Sequence, residues 1–151
     1  MALSLLDGSD LDGRAGLTFL LISVTAGSWP HVAMLSVGEI VALDARTLRA
    51  ALWTTSTTSA NLTQAGRAVL ALVADGRGYY VRLNVVREAD LELGSDGNLA
   101  RFRLNVHEVL EDVADYAELT SGITFRLQHP ADVVPRWERT VAALRLGGSG
   151  A

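Results

Sequence analysis

The chain has no cysteine, few aromatics (6%) and only three prolines in 151 residues. Without thiols there can be no disulfide, thiolate nucleophile, iron–sulfur cluster or cysteine-based zinc site, and the absence fits a reducing cytoplasm. A basic stripe is also missing. Thirteen basic residues against seventeen acidic ones give a net charge of −4, with no long run of either sign. Nucleic acid is therefore not an expected partner, because duplex and single-strand binders need a basic surface, often interleaved with aromatics. No membrane partner is expected either. The longest apolar stretch, Leu17 to Val24, contains Thr18 and Ser23 and is too short to span a bilayer. The N-terminus lacks the basic region and apolar core of a signal peptide.

Familiar catalytic signatures are absent as well. There is no Gly-x-Ser-x-Gly elbow, no phosphate-loop lysine and no Gly-x-Gly-x-x-Gly after a strand, so a serine hydrolase, a triphosphate site and a Rossmann site are unsupported. His31, His107 and His129 lie far apart, none with metal-ligand spacing, and no metal is expected. Glu111, Asp112, Asp115 and Glu118 read as the solvated face of a short helix over 112–119.

The chain is 49% hydrophobic and 20% charged, which suits one globular domain with a sizeable core. That domain is expected over residues 1–146, with Gly147 to Ala151 as a flexible tail. Strand patterns dominate, over 17–25, 31–37, 39–43, 46–53, 67–74, 79–85, 102–107 and 123–127. The run at 67–74 reads as a strand buried on both faces. Gly38 interrupts one pattern, as a glycine does at a bulge or where another group approaches the backbone closely. Turn clusters stand at 27–30, 75–78 and 95–98. A final helix is expected with Asp132 as cap, Pro135 in its first turn, and Val134, Trp137, Val141 and Leu144 at helical spacing. The fold class is mainly β, a closed or nearly closed antiparallel barrel with few helices.

The most concentrated polar chemistry is a run of six hydroxyls, Thr54-Thr55-Ser56-Thr57-Thr58-Ser59, between an apolar segment ending at Trp53 and a helical one over 60–65. Serine and threonine are ordinary helix caps. Six in succession exceed what a cap needs. A helix N-terminus rich in hydroxyls also suits a phosphate, because backbone N–H groups and the helix dipole point outward there. Trp53, abutting the run, suits a planar heterocycle held beside that phosphate.

Three stretches together resemble a known family: Pro30-His31-Val32-Ala33-Met34-Leu35-Ser36-Val37, then Leu52-Trp53-Thr54-Thr55-Ser56-Thr57-Thr58-Ser59-Ala60-Asn61-Leu62, then Gly66 to Val73. They are similar to the pyridoxamine 5′-phosphate oxidase-like FMN-binding split-barrel proteins. The resemblance implies a six-stranded antiparallel Greek-key split barrel, with a short helix after the phosphate loop and a C-terminal helix. It also implies a homodimer with FMN at the subunit interface. By the same resemblance, Met34, Leu35, Ser36 and Val37 border the flavin ring, and Trp53 and Thr54 end the next cofactor-lining strand. Thr55 falls within the loop, Ser56, Thr57 and Thr58 take the phosphate-gripping triplet, and Asn61-Leu62 sits on the following helix. The chain departs from the family at Thr57 and Thr58, where two basic residues are usual, and at Ser36, often a lysine. Each lost charged contact weakens phosphate binding by on the order of 1–3 kcal/mol. Arg67, Arg82 or the partner chain are candidate replacements. The tryptophan-arginine substrate motif of the true oxidase is not recognisable.

The resemblance thus implies an FMN-dependent oxidoreductase of unknown substrate. The alternative is a split barrel that binds flavin without turnover, as a carrier or sensor. A barrel for oligonucleotides or sugars is disfavoured by the acidic balance and the low aromatic content.

Overall fold

Period-two alternation of apolar and polar residues folds the chain into seven strands of one antiparallel sheet. These are β1 (Phe19–Val24), β2 (Pro30–Leu35), β3 (Ile40–Ala42), β4 (Thr47–Trp53), β5 (Arg67–Ala74), β6 (Arg77–Glu92) and β7 (Asn98–Asp112). Two helices, α1 (Thr57–Ala65) and α2 (Pro130–Leu146), and short 3-10 turns at Ala2–Leu6 and Gly94–Asp96 complete the computed structural model, which describes residues 2–146. The expected tail at 147–151 lies outside the described residues.

The strand order is β2-β1-β5-β6-β7-β4-β3. Its two edge strands are consecutive in sequence, joined only by residues 36–39. That link spans at most about 18 Å. A flat sheet of seven strands would separate its edges by roughly 29 Å. The sheet must therefore curl until β2 and β3 approach, which makes it a half-barrel. The six strands expected from the family resemblance are corrected to seven. After the 36–39 turn the short segment Ile40–Ala42 crosses to the far edge and pairs with β4, Ile40 opposite Ala50.

Inside the curl, one face of each strand forms the core. Leu21, Leu48, Ala50, Leu70, Phe102 and Leu104 are fully buried there. Asp75 (φ 53°) and Gly76 (φ 78°) form the two-residue loop between β5 and β6, with Ala74 opposite Arg77, the positive-φ pair that such a hairpin requires. β5 buries Ala68, Leu70 and Leu72 on the core face, but Val69, Ala71 and Val73 are only half-buried, so it is not enclosed on both sides.

Three further expectations are corrected. Residues 112–119 are not a helix. β7 continues to Asp112, and the chain then turns back tightly, with Ala114 bridging Ala117 and the Leu119 N–H reaching the Gly76 carbonyl at 2.8 Å. The acidic residues that suggested a solvated helix face are simply exposed. Residues 123–127 alternate as a strand would, but only one bridge forms there, Thr124 to Leu17. Alternation makes a strand only where a neighbouring edge accepts it. Finally, α2 begins at Pro130, so the proline suited to the first helical position is Pro130 and not Pro135. Asp132 lies in the first turn and Pro135 inside the helix. The expected apolar stripe of α2 is buried: Val134, Trp137, Val141 and Leu144.

Gly38 lies in the 36–39 turn, and its role is close approach. A Cβ at this position would collide with the indole ring of Trp137. The glycine thus lets α2 lie directly against the link between the two edge strands.

Candidate functional site

The hydroxyl run ends β4 and starts α1. Ser56 is the N-cap, its Oγ accepting the Ser59 N–H at 3.0 Å. The Ser59 hydroxyl donates to the Trp53 carbonyl at 2.6 Å, which ties the helix start to the strand end. Gly66, at φ 66°, closes the helix in the left-handed conformation. Part of the run is therefore ordinary capping. Thr58 is different. It is only 3% exposed, and it lines a cleft while its hydroxyl has no hydrogen-bond partner among the described residues.

The cleft has a volume of about 300 Å³, at the lower end of the range typical of small-molecule sites. Four parts of the fold build its walls. β2 gives Ala33, Met34 and Leu35. β4 and the start of α1 give Trp53, Ser56 and Thr58. The hairpin between β6 and β7 gives Leu93, Asp96 and Leu99, and α2 gives Arg136, Trp137 and Thr140. Gly38 and Glu39 of the 36–39 turn complete it. Met34 and Trp53 are 64% and 67% exposed, so large apolar surfaces face solvent at this site.

The eleven residues expected at the site separate into two groups. Met34, Leu35, Trp53, Ser56 and Thr58 line the cleft. Ser36, Val37, Thr54, Thr55, Thr57 and Asn61 do not. Ser36 is buried in its turn, where its Oγ accepts the Gly38 N–H and donates to Glu39. Val37 belongs to the core. The Asn61 side-chain amide donates to Ser23 Oγ at 3.0 Å, linking α1 to β1. Thr54, Thr55 and Thr57 are exposed. Nor do Arg67 and Arg82 enter this cleft. They line a separate depression on the outer sheet face with His107, and Arg82 is paired with Glu108 at 2.8 Å.

Four polar cleft residues were not anticipated at the site: Glu39, Asp96, Arg136 and Thr140. Arg136 and Thr140 are four residues apart on α2 and so share a face, and Thr140 donates to the Arg136 carbonyl at 3.0 Å. Helical spacing could have grouped them, but nothing local in sequence announces that α2 closes on the 36–39 turn. Asp96 is held by Arg139 through two contacts of 2.6 and 3.1 Å, which staple the hairpin tip to α2. This bond keeps the Asp96 carboxyl below its ordinary range and raises Arg139 above its own.

Glu39 accepts the Ser36 N–H at 2.6 Å and the Ser36 hydroxyl at 3.0 Å. Burial pushes its carboxyl above the ordinary range, and these two bonds and the charge of Arg136 oppose that rise only in part. The folded state therefore binds this proton more readily than the unfolded chain. The resulting stability is full below the unfolded pKa and declines as pH rises through the folded one. Glu39→Gln keeps an acceptor for Ser36, so it should remove that decline and lie within about 1 kcal/mol of wild type at neutral pH. Glu39→Ala strands the Ser36 N–H and should cost about 1–3 kcal/mol. Urea unfolding between about pH 4 and pH 8 measures both, spanning the range in which a raised carboxyl titrates.

The outer face of the curled sheet carries an apolar row that starts at the cleft: Met34, Leu20, Ala71, Tyr80 and Leu110 across β2, β1, β5, β6 and β7. The next row begins apolar, with Val32, Ile22 and Val69, and ends in the Arg82–Glu108 ion pair. Val32, Met34, Val109, Tyr116, Ile123 and Phe125 are among the large side chains exposed on the molecule.

This architecture is shared with known structures. HupZ of Group A Streptococcus matches with a TM-score of 0.55 at 14% identity, over 83% of this chain and 96% of that one. A "putative pyridoxamine 5′-phosphate oxidase" from Lactobacillus delbrueckii matches with a TM-score of 0.52 at 19% identity, over 66% and 88%. An F420 reductase matches with a TM-score of 0.53 at 17% identity, over 71% and 94%. The fold is the pyridoxamine 5′-phosphate oxidase-like split barrel. No family model matches the sequence. In sequence the chain is 40% identical over 141 residues to the uncharacterized protein YclD of Bacillus subtilis (strain 168), covering 93% of this chain and 91% of that one. The chain belongs to the YclD family. No helix among the described residues is long and apolar enough to cross a membrane.

Proposed function

We propose that the chain is a cytoplasmic, FMN-binding homodimer, with the cofactor in the cleft between β2, β4, the start of α1 and α2. One observation carries this reading. The cleft brings an exposed indole, Trp53, together with a helix N-terminus where Thr58 is nearly buried and its hydroxyl opens into the cleft without a partner among the described residues. That donor set suits a planar ring joined to a phosphate. Met34 and Leu35 offer apolar contact to the ring, and Ser56, Thr58 and the first N–H groups of α1 face the phosphate. The redox chemistry belongs to the flavin when bound; the protein orients it and limits water around it. The names of the pyridoxamine phosphate oxidase-like and F420 reductase structures support oxidoreductase chemistry on this fold, and we infer the same class here.

The homodimer is supported by the apolar row on the outer face, where Val32, Met34, Tyr80 and Leu110 are exposed. Exposed apolar side chains of this kind are what one copy buries against another, and closed two-fold pairing is the commonest solution. Light scattering should report twice the chain mass. The double variant Val32→Glu, Leu110→Glu should shift it towards a single chain.

Titration with FMN tests the cofactor reading. Quenching of the cleft tryptophans, Trp53 and Trp137, should saturate at one FMN per chain, and in Trp53→Ala the remaining signal should report weaker binding without loss of the fold. A flat titration up to about 1 mM FMN, equivalent to binding weaker than about 4 kcal/mol, would sink it. Thr57 and Thr58 in place of cations favour a second reading, a flavin carrier or sensor without turnover. Bleaching of bound FMN by NADH or NADPH would decide against that alternative.

A further inference from the structure

Thirteen basic residues serve this chain, and all are arginine. Among those described, Arg14, Arg49, Arg77, Arg82, Arg87, Arg101 and Arg139 are committed to carboxylates. Of the rest, only Arg136 lines the cleft. Its guanidinium makes no hydrogen bond and no ion pair with any described residue. Its charge acts at longer range on Glu39 and Asp96, but its five donors are unbonded, as at an anion-binding group awaiting its ligand.

The two carboxylates of the cleft do not supply that anion. Asp96 is already neutralised by a two-contact bond from Arg139. Glu39 turns its Oε2 to the Ser36 N–H and hydroxyl, and neither of its oxygens lies within 4 Å of Arg136. Opposite α2 stands the N-terminus of α1, with Thr58 nearly buried and its hydroxyl open to the cleft without a partner among the described residues. A phosphate monoester between these two walls would meet backbone N–H groups, hydroxyls and one guanidinium, the mixture such a group requires.

The geometry points to Arg136 of α2 as the cation that holds the phosphate of the bound cofactor, in the role that Thr57 and Thr58 leave open. The inference rests on the FMN reading above. It moves the charge from the helix that follows β4 to the C-terminal helix, on the other side of the same cleft. Flavin affinity then depends on the docking of α2, and hence on the Gly38–Trp137 contact and the Arg139–Asp96 staple.

The test compares FMN with riboflavin, which has the same ring and no phosphate. Wild type, Arg136→Gln and Arg136→Lys are titrated with each by tryptophan fluorescence at fixed salt. Arg136 is exposed and its side chain unbonded, so the variants should melt at the wild-type temperature. Arg136→Gln should weaken FMN about 10- to 100-fold, the equivalent of one charged hydrogen-bond contact. Riboflavin affinity should stay within about twofold, and Arg136→Lys should recover part of the loss, as a charge without the bidentate fork would. Equal FMN affinity in wild type and Arg136→Gln would overturn the role of Arg136 and leave the FMN reading standing. A parallel loss for riboflavin would overturn it too, because Arg136 would then be acting on the ring or on the cleft. If wild type binds neither flavin, the FMN reading itself fails, and this inference with it.

Discussion

Glu88→Ala should lower the unfolding free energy by about 3–5 kcal/mol, a large share of the roughly 5–15 kcal/mol that holds a domain of this size together. Among the described residues, Glu88 is the only carboxylate paired with two buried arginines. Its Oε1 accepts from Arg49 Nε at 2.9 Å and lies 3.8 Å from Arg101 Nε, and the three side chains are 6%, 7% and 10% exposed in the order Glu88, Arg49, Arg101. The longer contact is too long for a hydrogen bond, and Arg101 Nε is buried without one. Removing the carboxylate leaves two desolvated cations side by side. Arg49 also donates through Nη1 to the Leu144 carbonyl at 2.9 Å, so it caps the last turn of α2 and fixes that helix to β4. Loss of Glu88 should therefore loosen α2 before the sheet, and hydrogen exchange should show protection falling first over residues 130–146. Replacing Arg49, Glu88 and Arg101 together with apolar residues of similar volume should recover much of the loss. An effect below about 1 kcal/mol for Glu88→Ala would mean that water reaches the cluster and screens it.

Trp137→Ala should cost about 3–5 kcal/mol, in the range for truncating a large buried aromatic. Trp137 is 7% exposed and packs on Gly38 in the link between the two edge strands. Gly38→Ala fills the same space from the opposite side. Its Cβ would meet the indole ring, so α2 must shift, at about 1–3 kcal/mol. The two changes share one volume and should not add. In the double variant the cavity left by the indole accepts the new methyl, and the combined cost should fall short of the sum by about 1 kcal/mol or more. Denaturant unfolding of the four proteins measures this coupling. Additive costs would place the indole out of contact with the turn. Both residues border the cleft, so flavin affinity should fall with either change even where the protein remains folded.

Much of the fold is legible from period and punctuation. β1, β2, β4 and β5 fall where apolar runs end at turn clusters, and Asp75-Gly76 marks its hairpin. The stripe Val134, Trp137, Val141, Leu144 gives the buried face of α2. What fails does so for identifiable reasons. β6 and β7 run to 16 and 15 residues because they stabilise one another along a single long hairpin, a non-local term that alternation within either strand does not contain. Residues 112–119 and 123–127 carry helix-like and strand-like patterns but are held only by isolated contacts, such as Leu119 N–H to Gly76 and the Thr124–Leu17 bridge. Val113, Tyr116, Leu119, Ile123 and Phe125 are all exposed. Even the three-residue strand β3 falls within the pattern at 39–43; the count of six came from the family resemblance and not from the residues.

The site divides in the same way. The hydroxyl run, Trp53 and Met34-Leu35 are visible as local chemistry, and the cleft gathers Trp53, Ser56, Thr58, Met34 and Leu35. The neighbours share their composition but face solvent: Thr54 and Thr55 lie in the turn before α1, and Thr57, its first residue, points away from Thr58 because a helix turns successive side chains by about 100°. Arg136 and Glu39 enter the cleft through tertiary docking across about 100 residues of sequence. No spacing rule joins residues that far apart.

The central claim is a flavin phosphate held in the cleft between α1 and α2, and the visible spectrum of the purified protein, with mass identification of the chromophore released on denaturation, tests it most directly. A flavin spectrum with FMN as the released species, recovered again after the stripped protein is reconstituted, is the expected result. A colourless protein that takes up no FMN, or one that releases a chromophore without a flavin ring, would contradict it.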